Sequence, residues 1–369
     1  MFFEPVGLGF SKSDISKDEE IALNKQFTRF LHSVQAEIKD ETCFCCGKPT
    51  SSFCDSHFVP RFCLENIGIE GRVTSYNAIL GLPSMGVAMG KEEPGIGEAG
   101  TFRIICRDCD NTIFQDYENP ENYCVGTLPT QKMLAEIAMK DYLKFIYKRK
   151  LELEMYRAAT DLRNDNSPIG HYAKKKHDVE VPIKSLDLAA YISCFERAKK
   201  HYQKGTSGYY LVYYRLLDYV APIAVQAPIT LSIDIEGGVV NNIYNKDPTF
   251  NPTDIHVCVL PLKEKTAVIM FIDDGDKTYR KFYKQLRKLP QDEQLGVINY
   301  IIFLYCEDYF LAKDISNSVD LSQLKEIAAL TPVIWSTTPI NHASQVSEKY
   351  TLAKWSSIPN LLSERYKVR

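Results

Sequence analysis

Apolar residues Ile21, Leu23, Phe27, Leu31, Val34 and Ile38 recur at near-helical spacing and predict an amphipathic helix over about residues 18–39. The period is lost at Cys43. From there to about residue 126 the chain reads as short strands and turns, with a long loop carrying Gly81, Gly86, Gly90, Gly95, Gly97 and Gly100. Helical spacing returns over residues 130–162, where Leu134, Ile137, Ala138, Leu143 and Ile146 are apolar, and again over 186–204 after a polar break at 163–168. Strand-like texture follows at 209–214, 229–235, 255–260 and 266–272, with turn signals at Glu236-Gly237-Gly238 and Asp273-Asp274-Gly275. Helices are predicted again over about 276–288, 291–313 and 321–330. The expected fold class is α+β, in four parts: an N-terminal helical segment (1–42), a cysteine-bearing module (43–126), a helical region (127–205) and an α+β C-terminal domain (206–369). The longest apolar run, 297–305, contains Asn299 and falls short of the ~20 residues needed to cross a bilayer, so it is read as a buried helix and no membrane association is expected.

Composition narrows the class. With 45% hydrophobic and 25% charged residues, the 369-residue chain is globular, long enough for two or three domains, and neither collagen-like nor wholly disordered. Its eleven cysteines cannot all pair within one chain, and Met1-Phe2-Phe3-Glu4 places an acid where a secretory signal carries positive charge. A reducing, cytoplasmic location is therefore expected, where clustered cysteines suggest metal before disulfide. Net charge is −3 but uneven: residues 1–131 hold 11 basic and 19 acidic residues, and residues 132–204 hold 16 and 10. That basic middle, with Lys140, Lys144, Lys148, Arg149, Lys150, Lys174, Lys175, Lys176, Lys199, Lys200 and Lys204, is either a phosphate track or a solvated helix face laced by Glu136, Asp141, Glu152 and Glu154.

The chemistry concentrates in the second part. Cys43-x-x-Cys46-Gly47 and Cys106-x-x-Cys109 are two knuckles, each able to bring two thiolates to one tetrahedral ion. A structural zinc on these four is expected, while Cys45 and Cys54 fit the paired spacing less well. Between the knuckles lies Asp55-Ser56-His57-Phe58-Val59-Pro60-Arg61, and after the second comes Asp110-Asn111-Thr112-Ile113-Phe114-Gln115-Asp116-Tyr117-Glu118.

Residues 43–118 resemble the HNH endonuclease family in its four-cysteine, zinc-stabilised form, a ββα finger of the His-Me or treble-clef kind. The resemblance implies that His57 ends a first strand, that a second strand near 102–105 leads to the second knuckle, and that a helix begins near Asp110. It implies an endonuclease that hydrolyses DNA or RNA, with His57 activating water and Asp110 and Asn111 at the helix start completing the catalytic set. A catalytic Mg²⁺ or Mn²⁺ would be held through Asp55 and Asp110. Relatives of this kind often serve bacterial defence. Ser56 stands where the family usually carries an acidic or histidine ligand, and Thr101 where it prefers asparagine. The alternative is a non-catalytic zinc-binding module on a degenerate HNH scaffold that recognises nucleic acid or a protein partner, with the C-terminal domain as a further partner-binding surface.

Glu118 is expected to pair with Arg61 or Arg107, the residues nearest to hand for a phosphate. Asp273-Asp274-Gly275-Asp276 lacks the distal glutamate of a calcium loop and is read as a turn and helix cap. Tyr209, Tyr210, Tyr213 and Tyr214 read as sheet packing ahead of base stacking, and His171 and His177 as part of a solvated loop.

Overall fold

A computed structural model describes residues 33–34, 37, 41–75, 93–158, 168–242, 250, 252–306, 308–328 and 350–368. Most of the first predicted helix, and the loop glycines Gly81, Gly86 and Gly90, lie outside the described residues. In chain order the elements are β1 (Ser56–His57), α1 (Arg61–Ile67), β2 (Thr74–Ser75), β3 (Thr101–Phe102), α2 (Arg107–Ile113), α3 (Gln131–Ala158) and α4 (Pro168–Lys204). After these come β4 (Tyr209–Leu217), β5 (Ile223–Ile229), β6 (Ile255–Pro261), β7 (Thr266–Asp273), α5 (Arg280–Leu286), α6 (Gln291–Tyr305), β8 (Tyr309–Leu311) and α7 (Leu321–Ala328).

Six strands form one antiparallel sheet in the order β2-β8-β5-β6-β7-β4. Both of its faces are covered. Along β7, Val268, Met270 and Ile272 join one core with α5 and α6, while Ala267, Ile269 and Phe271 join a second core with α3 and the cysteine module. Double coverage explains why β5, β6 and β7 read as continuous apolar runs rather than alternating ones, since side chains of either parity must be apolar. Pro228 sits in β5 beyond the Ile223–Val225 stretch that pairs with β8, so its missing N–H costs that ladder nothing.

Helices α3 and α4 pack antiparallel, with Lys132 against Tyr202, Phe145 against Tyr191 and Arg149 against Asp187. α3 is enclosed on most sides from Met133 to Ile146 and carries buried Glu136, Lys140, Asp141, Lys144 and Arg149. Each is answered by a partner. Glu136 accepts the backbone N–H groups of Asp116 and Tyr117, His256 Nδ1 lies 2.7 Å from Asp141, Lys144 pairs with Asp308, and Arg149 pairs with Glu152 and Asp187. Lys140, Lys144 and Arg149 therefore face protein, and the expected phosphate track loses them.

Three sequence expectations change. The strand expected at 229–235 is instead β5 at Ile223–Ile229, and the apolar residues after it form an irregular segment whose backbone is satisfied by side chains. Tyr279 Oη accepts from the Leu231 N–H, and Asp234 Oδ1 accepts from those of Glu236 and Gly238. The helix expected at 291–313 ends at Tyr305; the chain turns extended at Cys306 and supplies β8, which pairs with both β2 and β5. The helix expected at 186–204 begins at Pro168 and contains Pro182, so His171 and His177 lie on a helix rather than in a loop. Proline at a helix start carries no penalty, because that N–H has no intrahelical partner.

Candidate metal centre and hydrolytic site

The first knuckle is a tight turn. Lys48 C=O accepts from the Cys43 N–H at 2.9 Å and Cys43 C=O from the Gly47 N–H at 2.8 Å, and Gly47 takes φ +69, a left-handed value that glycine adopts without strain. Cys106 caps the N-terminus of α2, Cys109 lies one turn along, and the Cys106 N–H donates to Cys43 Sγ at 3.3 Å. The sulfurs of Cys43, Cys46, Cys106 and Cys109 all lie within 4.8 Å of one another. Tetrahedral zinc with Zn–S bonds of about 2.3 Å sets its sulfurs about 3.8 Å apart, so the donor set fits zinc. Cys45 is buried apart from this group, and Cys54 Sγ donates to the Ile105 carbonyl. The cluster staples the start of the module to α2.

Beside it, β1 pairs antiparallel with β3, Ser56 opposite Phe102 and His57 opposite Thr101, with α2 following. Strand alternation divides the motif residues. Ser56 is fully buried and its Oγ donates to Asp110 Oδ1 at 2.6 Å. Asp55 turns outward to Arg103 at 3.1 Å, and Asn111 is exposed on α2. Thus Ser56 converges on Asp110, while Asp55, expected to share a metal ion with Asp110, and Asn111 do not join them.

His57 is half-buried and its Nε2 lies 2.8 Å from the Ile96 carbonyl. A carbonyl only accepts, so Nε2 carries the proton and Nδ1 keeps its lone pair. Burial holds the imidazole below its ordinary pKa of 6.5, and the charges of Lys140 and Arg61 push the same way. At neutral pH the ring is therefore an uncharged base of fixed tautomer.

Lys140 supplies what the sequence did not point to. Its Nζ, on a residue 1% exposed, is 2.7 Å from Asp110 Oδ1, 3.0 Å from Glu118 Oε1 and 4.0 Å from the centre of the Phe114 ring. Glu118 thus pairs with Lys140, whereas Arg61 pairs with Glu65. Lys140 ion-pairs with one oxygen of each carboxylate, Asp110 Oδ1 and Glu118 Oε1, so a Mg²⁺ or Mn²⁺ bound between the two would meet an ammonium already standing there. Among the described residues, the four cysteines are the one group of three or more His, Cys, Asp or Glu donors placed to hold an ion. The divalent-metal site implied by Asp55 and Asp110 does not fit these residues.

Asp141 and His256 form a second acid–imidazole pair, with the ring stacked on Phe271 at 4.4 Å and Tyr142 Oη 3.4 Å from Nε2. Both residues are 1% exposed, which closes the pair to any substrate. Comparison with protein-family models, with curated proteins and with solved structures finds no match to this chain.

Proposed function

We propose that the module around His57 hydrolyses phosphodiester bonds of DNA or RNA, with zinc on Cys43, Cys46, Cys106 and Cys109 as structural support. The observation that carries this reading is the pairing of His57 Nε2 with the Ile96 carbonyl, which leaves Nδ1 as a free base on a neutral, half-buried ring. Water placed against Nδ1 gives it one proton while the water oxygen forms a bond to phosphorus. The P–O electron pair leaves with the departing sugar oxygen, which takes a proton from solvent, and His57 returns its proton to solvent. One water is consumed. Arg61, whose charge reaches His57 and whose side chain is exposed, is a group of the right sign for an incoming phosphate.

The non-catalytic alternative also rests on a specific observation, the commitment of Asp110 and Glu118 to Lys140. The two are separated by incubating zinc-loaded wild type and His57→Ala with single-stranded DNA, duplex DNA and RNA. Cleavage of at least one substrate is expected, falling at least 100-fold in His57→Ala at unchanged zinc content, in line with the ~10²–10⁴-fold worth of a general base. Binding without cleavage by either protein, weakening steeply with salt, favours the interaction module.

A further inference from the structure

Two carboxylates, a buried hydroxyl and a cation share one small volume within electrostatic reach of His57. Asp110 Oδ1 accepts from both Ser56 Oγ at 2.6 Å and Lys140 Nζ at 2.7 Å, and the same ammonium reaches Glu118 Oε1 at 3.0 Å. The face of Phe114, 4.0 Å away, is its third neighbour. The stem rises from the enclosed face of α3, which holds the ammonium out of solvent. Burial works against the charge on Lys140, but Glu118 and Asp110 more than offset it and hold the pKa above the ordinary 10.5. A hard divalent ion bound to these two carboxylates at about 2.0–2.2 Å would stand within a few ångströms of a fixed positive charge.

We propose that Lys140 is the cation of this site: its ammonium stands between Asp110 and Glu118 where a divalent metal would otherwise bind, and hydrolysis at His57 needs no divalent ion. Lys140 touches neither water nor phosphate and acts as a positioning residue. It fixes Asp110 and Glu118 and cancels one of their two negative charges, which lowers the repulsion met by an incoming phosphodiester. The catalytic half of this proposal rests on the hydrolytic reading of His57. The exclusion of divalent metal rests only on the ion-pair geometry.

The test therefore has two arms. In the first, Mn²⁺ is titrated into the zinc-loaded chain and free ion is followed by electron paramagnetic resonance. Wild type and Asp110→Asn are expected to bind Mn²⁺ equally weakly, whereas Lys140→Met, which empties the place between the two carboxylates, is expected to bind one ion at least tenfold more tightly. Lys140→Gln, which keeps a donor for Asp110, serves if the methionine variant loses its zinc or its cooperative melting. Mn²⁺ uptake by wild type that Asp110→Asn abolishes overturns the proposal.

In the second arm, cleavage is measured in metal-depleted buffer with the structural zinc confirmed, then with Mg²⁺ added. Wild type is expected to work at the same rate within about twofold in both, and Lys140→Met to lose activity and regain it with Mn²⁺. Wild-type cleavage that appears only with Mg²⁺ overturns the role of Lys140 and leaves His57 standing. Absence of cleavage under both conditions overturns the hydrolytic reading itself, and the Mn²⁺ titration still decides whether Lys140 excludes the metal.

Discussion

Glu136 offers a test of the buried-charge chemistry along α3. Its side chain is fully buried, and Oε2 accepts the backbone N–H groups of Asp116 at 3.1 Å and Tyr117 at 2.9 Å. Oε1 has Lys132 Nζ at 3.6 Å, beyond hydrogen-bonding distance. Burial dominates, and Asp116 adds to it, so the carboxyl is raised from 4.5 to about 7. The folded chain then binds this proton more tightly than the unfolded chain. Stability falls as pH rises from about 4.5 to about 7, and a difference of roughly 2.5 units at 1.36 kcal/mol each sets the full cost near 3 kcal/mol at pH 8. Glu136→Gln keeps an oxygen for the two N–H donors and removes the titration. Urea unfolding of both proteins across pH 5–8 should show nearly equal stabilities at pH 5 and a variant about 3 kcal/mol more stable at pH 8. A gap that stays constant with pH, or a wild type that is the more stable at pH 8, would refute the reasoning.

Three further outcomes follow from named contacts. Cys109→Ser removes one of four thiolates and should lower bound zinc from one per chain to well below it, measured by elemental analysis, with a loss of thermal stability that added zinc no longer corrects. Asp308→Ala strands the ammonium of Lys144, whose side chain is 6% exposed, and should cost about 3–5 kcal/mol in urea unfolding; the double change to Lys144→Met and Asp308→Leu should cost less. The rate of cleavage should rise with pH through a His57 pKa below 6.5 and be level by pH 7, since the neutral ring is the base. A rise centred above pH 7 would assign the base to another group.

What could be read from the chain was what depends on neighbours in sequence. The two knuckles were legible because each pair of thiols is set by one local turn, and the structure brings all four sulfurs together across 63 residues from Cys43 to Cys106. Strands β6 and β7 and helix α3 were found nearly to their ends because their apolar runs are long. The run at 229–235 misled because a buried irregular segment is as apolar as a strand, its N–H groups being met by the side chains of Tyr279, Tyr305 and Gln285 from far along the chain. Around the candidate site, His57 and Asp110 were picked out by motif and Ser56 as a departure from it. Lys140 lies 30 residues from Asp110, among lysines that look like a solvated face, and nothing local marks it as the one that enters the core. The same burial took Lys144 and Arg149 out of the expected phosphate track.

The central claim is that His57 activates a water for attack on phosphorus, and isotope transfer tests it most directly. Zinc-loaded wild type and His57→Ala would be incubated with an oligonucleotide in ¹⁸O-water and the product phosphates weighed by mass spectrometry. The expected result is one ¹⁸O in each newly formed phosphate with wild type and no product with the variant. Product that lacks ¹⁸O, or that forms equally fast without the imidazole, would contradict it.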